Sequence, residues 1–185
     1  TDYVSRMSTD QKDIYYLFGP SRDSIESGPY LEAFESRGLE VLFVTDPIDE
    51  FVMSHLAEFD GKKLVSADRQ DIELPDAPES GEEPLSREDG ETLSQWVKEH
   101  LGERVSDVVI SKRLTESPAV VLNTDASMSP QMRRMMKAMN QDGGNLPEPP
   151  VRFELNPRHP LVKDLATLKS ENGELATAIV EQVFS

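Results

Sequence analysis

The side chains that most often carry chemistry in proteins are sparse and scattered in this sequence. His55, His100 and His159 stand far apart, without the short spacing of metal ligands. Cysteine is absent, which excludes a thiolate nucleophile, a disulfide and cysteine-bound zinc. Adjacent carboxylates at 49–50 and 82–83 are candidates for an acid/base pair, but in a helix start or an acidic segment such pairs are typically solvated surface charge. The sequence therefore predicts no catalytic residue and no metal site.

Motifs for nucleotide binding and hydrolysis are also missing from the sequence. There is no GxxxxGK[ST] loop, no GxGxxG after a strand, no GxSxG elbow and no HExxH helix. The net charge of −16 would repel a phosphate backbone, so nucleic acid is not an expected partner. No apolar run approaches the roughly 18 residues of a membrane span, and no basic-then-apolar leader is visible. These observations argue against catalysis, nucleic-acid binding and membrane insertion.

The most distinctive pattern is a methionine-rich stretch, MSPQMRRMMKAMNQ at 128–141. Its methionines recur with the period of one helix face, and the two arginines and the lysine fall mostly on the other side. Five of the chain's seven methionines belong to this face: Met128, Met132, Met135, Met136 and Met139. Because methionine is flexible and polarisable, such a face suits either an irregular core or a surface that adapts to many partners.

An α/β unit is predicted in the first third of the chain. Continuous apolar runs in DIYYLFG and LEVLFVT indicate two buried parallel strands, joined by a helical crossover in SRDSIESGPYLEAFESRG. Asp46 and Pro47 suit the cap and first turn of a helix that extends to Phe59. DGKKLVSA, residues 60–67, then predicts an edge strand. The expected fold is a short parallel sheet with helices.

A second unit with α+β character is predicted after an acidic segment. Residues 68–91 hold ten acidic residues against two arginines, with three prolines, and lack the apolar residues to bury themselves. Helical spacing in SREDGETLSQWVKEHLG precedes strands in RVSDVVISKRL and PAVVLNT, which flank the turn TESP. VRFELN predicts a third strand, and HPLVKDLATL and NGELATAIVEQVFS predict helices. The expected organisation is a first domain at 1–67, a solvated linker at 68–90 and a three-stranded α+β domain at 91–185.

Several long motifs resemble the heat-shock protein 90 chaperones. Residues 6–53, RMSTDQKDIYYLFGPSRDSIESGPYLEAFESRGLEVLFVTDPIDEFVM, are similar to the end of that family's middle domain. Residues 153–162, FELNPRHPLV, look like the motif E-[IL]-N-P-x-H-x-[IL]-V of its C-terminal domain. LGERVSDVVISKRLTESPAVV lies between them in the family's order, so the resemblance covers nearly the whole chain.

The resemblance, which is strongest to the bacterial type, implies a fragment of a larger cytoplasmic chaperone. The chain would correspond to the end of the middle domain and most of the C-terminal dimerisation domain, without its last helix. ATP and magnesium would bind an upstream domain, so no cofactor is expected in this chain. The expected partners are non-native client proteins and a second copy of the chaperone, with dimerisation weak or absent in the fragment.

The resemblance also implies two sets of binding residues. Client contacts are expected on the helix that begins at Asp46 and on the methionine helix: Phe51, Val52, Ser54, Met128, Met132, Met135 and Met136. Dimer contacts are expected on the last helix, where apolar side chains would be exposed in an isolated chain: Leu175, Ile179, Val180, Val183 and Phe184. Two alternatives stay open at this point: a purely structural dimerisation module, with client binding carried by other regions, and an unrelated enzyme domain with a deep polar pocket.

Overall fold

The computed structural model describes residues 2–9, 11–74, 82–124 and 149–185, and these ranges form two small sheets covered by helices. The predicted methionine helix, with Met128, Met132, Met135 and Met136, lies outside the described residues. The predicted fold class, an α/β unit followed by an α+β unit, is confirmed.

The α/β unit contains a four-stranded sheet in the order β2-β1-β4-β3. Strand β1 pairs in parallel with β2 and with β4, as predicted for two apolar strands joined by a helical crossover. The elements are α1 (Asp2–Arg6), β1 (Ile14–Phe18), α2 (Arg22–Glu26), α3 (Pro29–Glu35), β2 (Val41–Val44), α4 (Pro47–Leu56), β3 (Glu58–Phe59) and β4 (Lys62–Ser66).

Two helices, rather than one, form the crossover between β1 and β2. The side chain of Ser21 accepts a hydrogen bond from the amide of Ser24 and caps α2. Gly28 precedes Pro29, whose fixed φ starts α3 and separates it from α2. The crossover helices cover an apolar core in which the rings of Tyr15 and Phe34 lie 4.8 Å apart.

The position of β4 differs from the sequence prediction. It was expected at the sheet edge, but it lies between β1 and the two-residue strand β3. The predicted helix also ends earlier, because Phe59 belongs to β3 instead of to α4. Asp60 and Gly61 have φ of 52° and 70°, the backbone of a tight two-residue hairpin turn, and this turn places β3 antiparallel to β4.

The α+β unit contains a three-stranded sheet in the order β5-β7-β6. Strand β7 is parallel to β5 and antiparallel to β6, so the strands that flank the predicted turn TESP do not pair with each other. The elements are α5 (Arg87–Leu101), β5 (Val105–Ile110), β6 (Ala119–Leu122), β7 (Val151–Leu155), α6 (Pro160–Glu171) and α7 (Gly173–Phe184), with a short 3₁₀ turn at Gly102–Arg104.

Helices α5, α6 and α7 cover the second sheet and bury its apolar side chains. Leu93 and Val97 on α5 are completely buried, and Phe153 on β7 packs edge-on against Phe184 on α7 with ring centroids 5.3 Å apart. Helix α5 begins within the segment predicted as a linker, and the domain boundaries themselves stay a prediction.

Specific polar contacts join the two units. The carboxylate of Glu32 on α3 accepts hydrogen bonds from the amides of Thr115 and Ser117, both at 3.0 Å, and from the Ser117 hydroxyl at 2.9 Å. The Tyr30 hydroxyl donates to the carbonyl of Val121 at 2.6 Å. The loop between β5 and β6 is therefore attached to the crossover helix α3 of the other unit.

The start of the acidic segment lies in this junction instead of in solvent. Asp68 is 8% exposed, its main-chain carbonyl accepts from the amide of Asn123 at 2.8 Å, and its carboxylate accepts from the Ser66 hydroxyl at 2.6 Å. Burial raises the pKa of the Asp68 carboxyl. The solvated character predicted for residues 68–90 is thus wrong at Asp68, because the backbone there pairs with the end of β6.

Candidate functional site

Helix α4 forms where its capping residues predict it. The side chain of Asp46 accepts a hydrogen bond from the amide of Ile48 at 3.0 Å, and Pro47 occupies the first turn. The helix connects β2 to the β3–β4 hairpin and contacts both β2 and β4.

The apolar face of α4 points away from the protein. Spacing at i, i+3, i+4 and i+8 puts four large side chains on one side of the helix, and this side would normally cover a core. Here each remains about half exposed or more: Ile48 62%, Phe51 46%, Val52 49% and Leu56 49%. An outward apolar helix face is a feature of protein-binding surfaces.

An aromatic contact and one further exposed side chain accompany the apolar face of α4. The ring of Phe51 lies 3.9 Å from that of His55, whose Nδ1 is 2.8 Å from the Phe51 carbonyl oxygen. Phe59 on β3 is 42% exposed beyond the end of the helix. We call the exposed side chains of Ile48, Phe51, Val52, Leu56 and Phe59 the α4 surface.

Carboxylates lie at both ends of the α4 surface. Asp46 and Asp49 are exposed at the start of the helix, and Glu58 and Asp60 are exposed at the hairpin beyond its end. No lysine or arginine occurs from residue 38 to residue 61. The surface therefore combines apolar side chains with negative charge at both ends.

A second apolar surface was predicted on the last helix, α7, but most of this helix packs against its own unit. Leu175 is 49% exposed, whereas Ile179, Val183 and Phe184 are partly buried against the core. The exposure expected for Val180 is wrong. Its side chain is 2% exposed because this face of α7 covers the sheet.

An ion-pair cluster fixes the C-terminal half of α7. Both carboxylate oxygens of Glu181 accept from the guanidinium of Arg104, at 2.7 and 2.5 Å, and His100 Nε2 lies 3.0 Å from one of them. The hydrogen bonds from Arg104 lower the pKa of Glu181 to about 2. The Arg104 guanidinium also lies over the ring of Phe184, 5.3 Å from its centroid. These contacts hold α7 against α5.

Comparison with known proteins decides the family. The family model for Hsp90 protein matches residues 1–185. This chain belongs to the Hsp90 family. Relatives named "Chaperone protein HtpG" are similar to it over almost its whole length: 41% identical over 191 residues in Desulfotalea psychrophila, 41% over 186 in Desulfitobacterium hafniense and 42% over 176 in Shewanella pealeana. They cover 99%, 100% and 94% of this chain, which spans only 30%, 30% and 27% of theirs.

The Hsp90-family motif FELNPRHPLV has a clear structural role at the start of α6. Asn156 is 1% exposed, its side-chain amide donates to the Ser117 carbonyl, and its side-chain oxygen accepts from the Arg158 amide. His159 caps α6, with Nδ1 accepting from the amide of Leu161 at 3.1 Å. The motif therefore stabilises a strand-to-helix corner.

The structure locates some of the predicted client residues and leaves others undescribed. Phe51 and Val52 lie on the α4 surface, while the side chain of Ser54 and the four methionines are outside the described part of the structure. The exposed positions Ile48, Leu56 and Phe59 were not predicted as site residues. For Ile48 and Leu56 the signal was present, because their helical spacing places them on the same face as Phe51 and Val52.

The described residues contain neither a metal-binding cluster nor a membrane-spanning helix. In the ranges that the structure describes, no group of three or more histidine or acidic side chains comes together in a metal-binding arrangement. No helix in the same ranges is both long and apolar enough to cross a bilayer. Within the described ranges, the α4 surface and the exposed part of α7 are therefore the candidate functional sites.

Proposed function

We propose that this chain supplies protein-binding and dimerisation surfaces to an Hsp90-family chaperone, and that the α4 surface contacts non-native proteins. The outward apolar face of α4 carries the proposal. In this proposal, Phe51 and Val52 contact client proteins, together with Ser54 and the methionines at 128, 132, 135 and 136. The relatives' shared name as chaperones supports a role in protein binding.

The size of the α4 surface supports weak and adaptable binding. Full burial of a large apolar side chain contributes about 1.5–3 kcal/mol, so four half-exposed side chains offer about 4 kcal/mol before the cost of association is subtracted, and the α4 surface alone should bind weakly. An apolar contact of this kind needs no fixed geometry in its partner. Stronger binding would need several such surfaces to act together, as two chains in a dimer would provide.

Substitutions on the α4 surface test the proposal. The double variant Phe51→Asp with Val52→Asp should weaken binding of a fluorescent, reduced and carboxymethylated α-lactalbumin about tenfold or more, because two apolar contacts are replaced by charges. Thr92→Asp with Gln95→Asp is the matched control, since it adds the same two charges at exposed positions of α5, outside both proposed surfaces. Unchanged binding by a double variant with a native circular dichroism spectrum contradicts the proposal. Met132→Asp with Met136→Asp applies the same test to the methionine segment.

The second proposed role is dimerisation through α7, and the exposed Leu175 favours it. Ile179, Val183 and Phe184 retain partial exposure that a partner would cover, and Val180 acts indirectly by holding α7 on the sheet. Sedimentation equilibrium from micromolar to millimolar concentration should show self-association that Leu175→Asp abolishes. A strictly monomeric wild-type chain over this range argues against dimerisation through α7 alone.

The ATP-dependent step of the chaperone is proposed to lie elsewhere in the full protein. This chain spans about 30% of the length of its curated relatives, and no phosphate-binding motif is found in it. We assign no enzymatic role to the chain and propose that ATP and magnesium bind another domain. A bacterial cytoplasmic location is part of the same proposal.

A further inference from the structure

The charged side chains at the two ends of the α4 surface indicate the chemistry of its partner. Asp46 and Asp49 stand at the N-terminal end of α4, and Glu58 and Asp60 at the far end. The apolar side chains between them occupy a helix of ten residues, about 15 Å long. A segment bound along this surface would meet negative charge at both of its ends.

In the described ranges, most cations close to α4 in the sequence have other partners or offset only part of this negative charge. Lys62 Nζ donates to the carbonyl of Gln11 at 3.1 Å. Arg22 pairs with Glu26 and lies over the ring of Phe43, 5.1 Å from its centroid. Lys63 is exposed opposite Glu58 across the β3–β4 pair and offsets one negative charge. Among the described residues, the charges at the two ends of the α4 surface are therefore predominantly negative.

We propose that the α4 surface selects unfolded segments with a short apolar core and basic residues on both sides. This inference rests on the proposed function and adds the chemistry of the client. A length of about 15 Å matches four or five extended residues at about 3.3 Å each. Lysine or arginine at the flanks would meet Asp49 at one end and Glu58 and Asp60 at the other, whereas acidic flanks would be repelled.

Three peptides with one apolar core test the proposal by fluorescence anisotropy on the 185-residue chain. Each has the core Leu-Phe-Val-Leu-Phe, and the flanks on both sides are two lysines, two glutamates or a serine–glycine pair. We expect the lysine-flanked peptide to bind about tenfold more tightly than the neutral one at low salt, and the glutamate-flanked peptide to bind most weakly. Since rim charges are screened by salt, the preference should fall below about threefold at 0.5 M sodium chloride.

Charge-neutralising variants localise the effect. The triple variant Asp49→Asn, Glu58→Gln and Asp60→Asn should reduce the discrimination between lysine and glutamate flanks to about twofold while the neutral peptide still binds. Asparagine tolerates the positive φ of Asp60, so the hairpin turn is retained. The control makes the same charge change on exposed residues of the α+β unit and should leave the discrimination unchanged: Glu99→Gln, Glu103→Gln and Glu171→Gln.

Each remaining outcome has a definite meaning. Equal affinity for lysine-flanked and glutamate-flanked peptides overturns the charge preference while the proposed client binding stands. Discrimination that persists in the triple variant, or that is lost equally in the control, overturns its assignment to α4. If no peptide binds the wild-type chain, the proposed function itself fails. If the chain self-associates through α4, so that Val52→Asp makes it monomeric, a second copy occupies the surface and the proposal is wrong.

Discussion

Removal of the Glu32 carboxylate should uncouple the two units. Glu32 lies on α3 of the α/β unit, and its oxygens accept hydrogen bonds from two amides and a hydroxyl at 115–117, in the loop that joins β5 to β6. Glu32→Ala removes these acceptors and leaves the amides of Thr115 and Ser117 without their partner in a partly buried junction. The junction would then depend mainly on the apolar contact of Tyr30 with Leu114, Val120 and Leu122.

The magnitude follows from the number and type of bonds lost. A hydrogen bond to a charged group contributes about 1.5–3 kcal/mol to stability. Glu32→Ala removes three such hydrogen bonds, but water can reach this partly buried site and replace some of them. We therefore expect the free energy of unfolding to fall by about 2–4 kcal/mol. Glu32→Gln keeps one carbonyl oxygen as an acceptor and should cost about half as much.

Urea unfolding with two probes provides the assay. Trp96, the single tryptophan, lies on α5 and reports on the α+β unit, while far-ultraviolet circular dichroism reports on both units. In the wild-type chain the two curves should coincide. In Glu32→Ala they should separate, because the α/β unit loses support that it receives across the junction.

A control on the same helix separates the junction from α3 itself. Glu35 is exposed in the last turn of α3, and Glu35→Ala should change the free energy of unfolding by no more than about 0.5 kcal/mol. If Glu32→Ala and Glu35→Ala lower stability equally, or if both probes of Glu32→Ala still coincide at the wild-type midpoint, the coupling ascribed to Glu32 is refuted.

Three further predictions concern local features of the fold. His159→Ala should destabilise the chain by about 1 kcal/mol in urea, because the N-cap of α6 is lost, and His159→Asn should restore most of it. Arg104 lowers the pKa of Glu181 to about 2, so the stability from this pair is complete above pH 4.5 and is lost as pH falls towards 2. An NMR titration of the Glu181 carboxyl should show this, and Arg104→Gln should return its pKa towards the ordinary range. Gly38→Ala should cost about 1–2 kcal/mol in thermal unfolding because Gly38 has φ of 65° with open space around it, whereas Gly173→Ala, with open space and no positive φ, should be neutral or slightly stabilising. Equal effects of the two glycine substitutions would contradict this reasoning.

Local patterns in the sequence determined most elements of the fold and the family. The apolar runs around Tyr15 and Phe43 are β1 and β2, and Asp46 and Pro47 mark the start of α4 where predicted. These elements were predictable because caps, first-turn prolines and buried strands depend on residues close together in the chain. The long motifs around 6–53 and 153–162 were sufficient for the family resemblance, which the comparisons confirm.

The tertiary structure decided which elements meet and which faces they cover. Strand β7 inserts between β5 and β6, β4 lies inside the first sheet, and Asp68 is buried in the junction. In the same way, the apolar face of α7 covers a sheet and buries Val180, whereas that of α4 faces outward and exposes Val52. Both helices have an amphipathic pattern, and the pattern cannot distinguish them. Periodicity shows that a helix has an apolar face, but only contacts between residues distant in sequence determine whether that face packs within the chain or remains available to a partner.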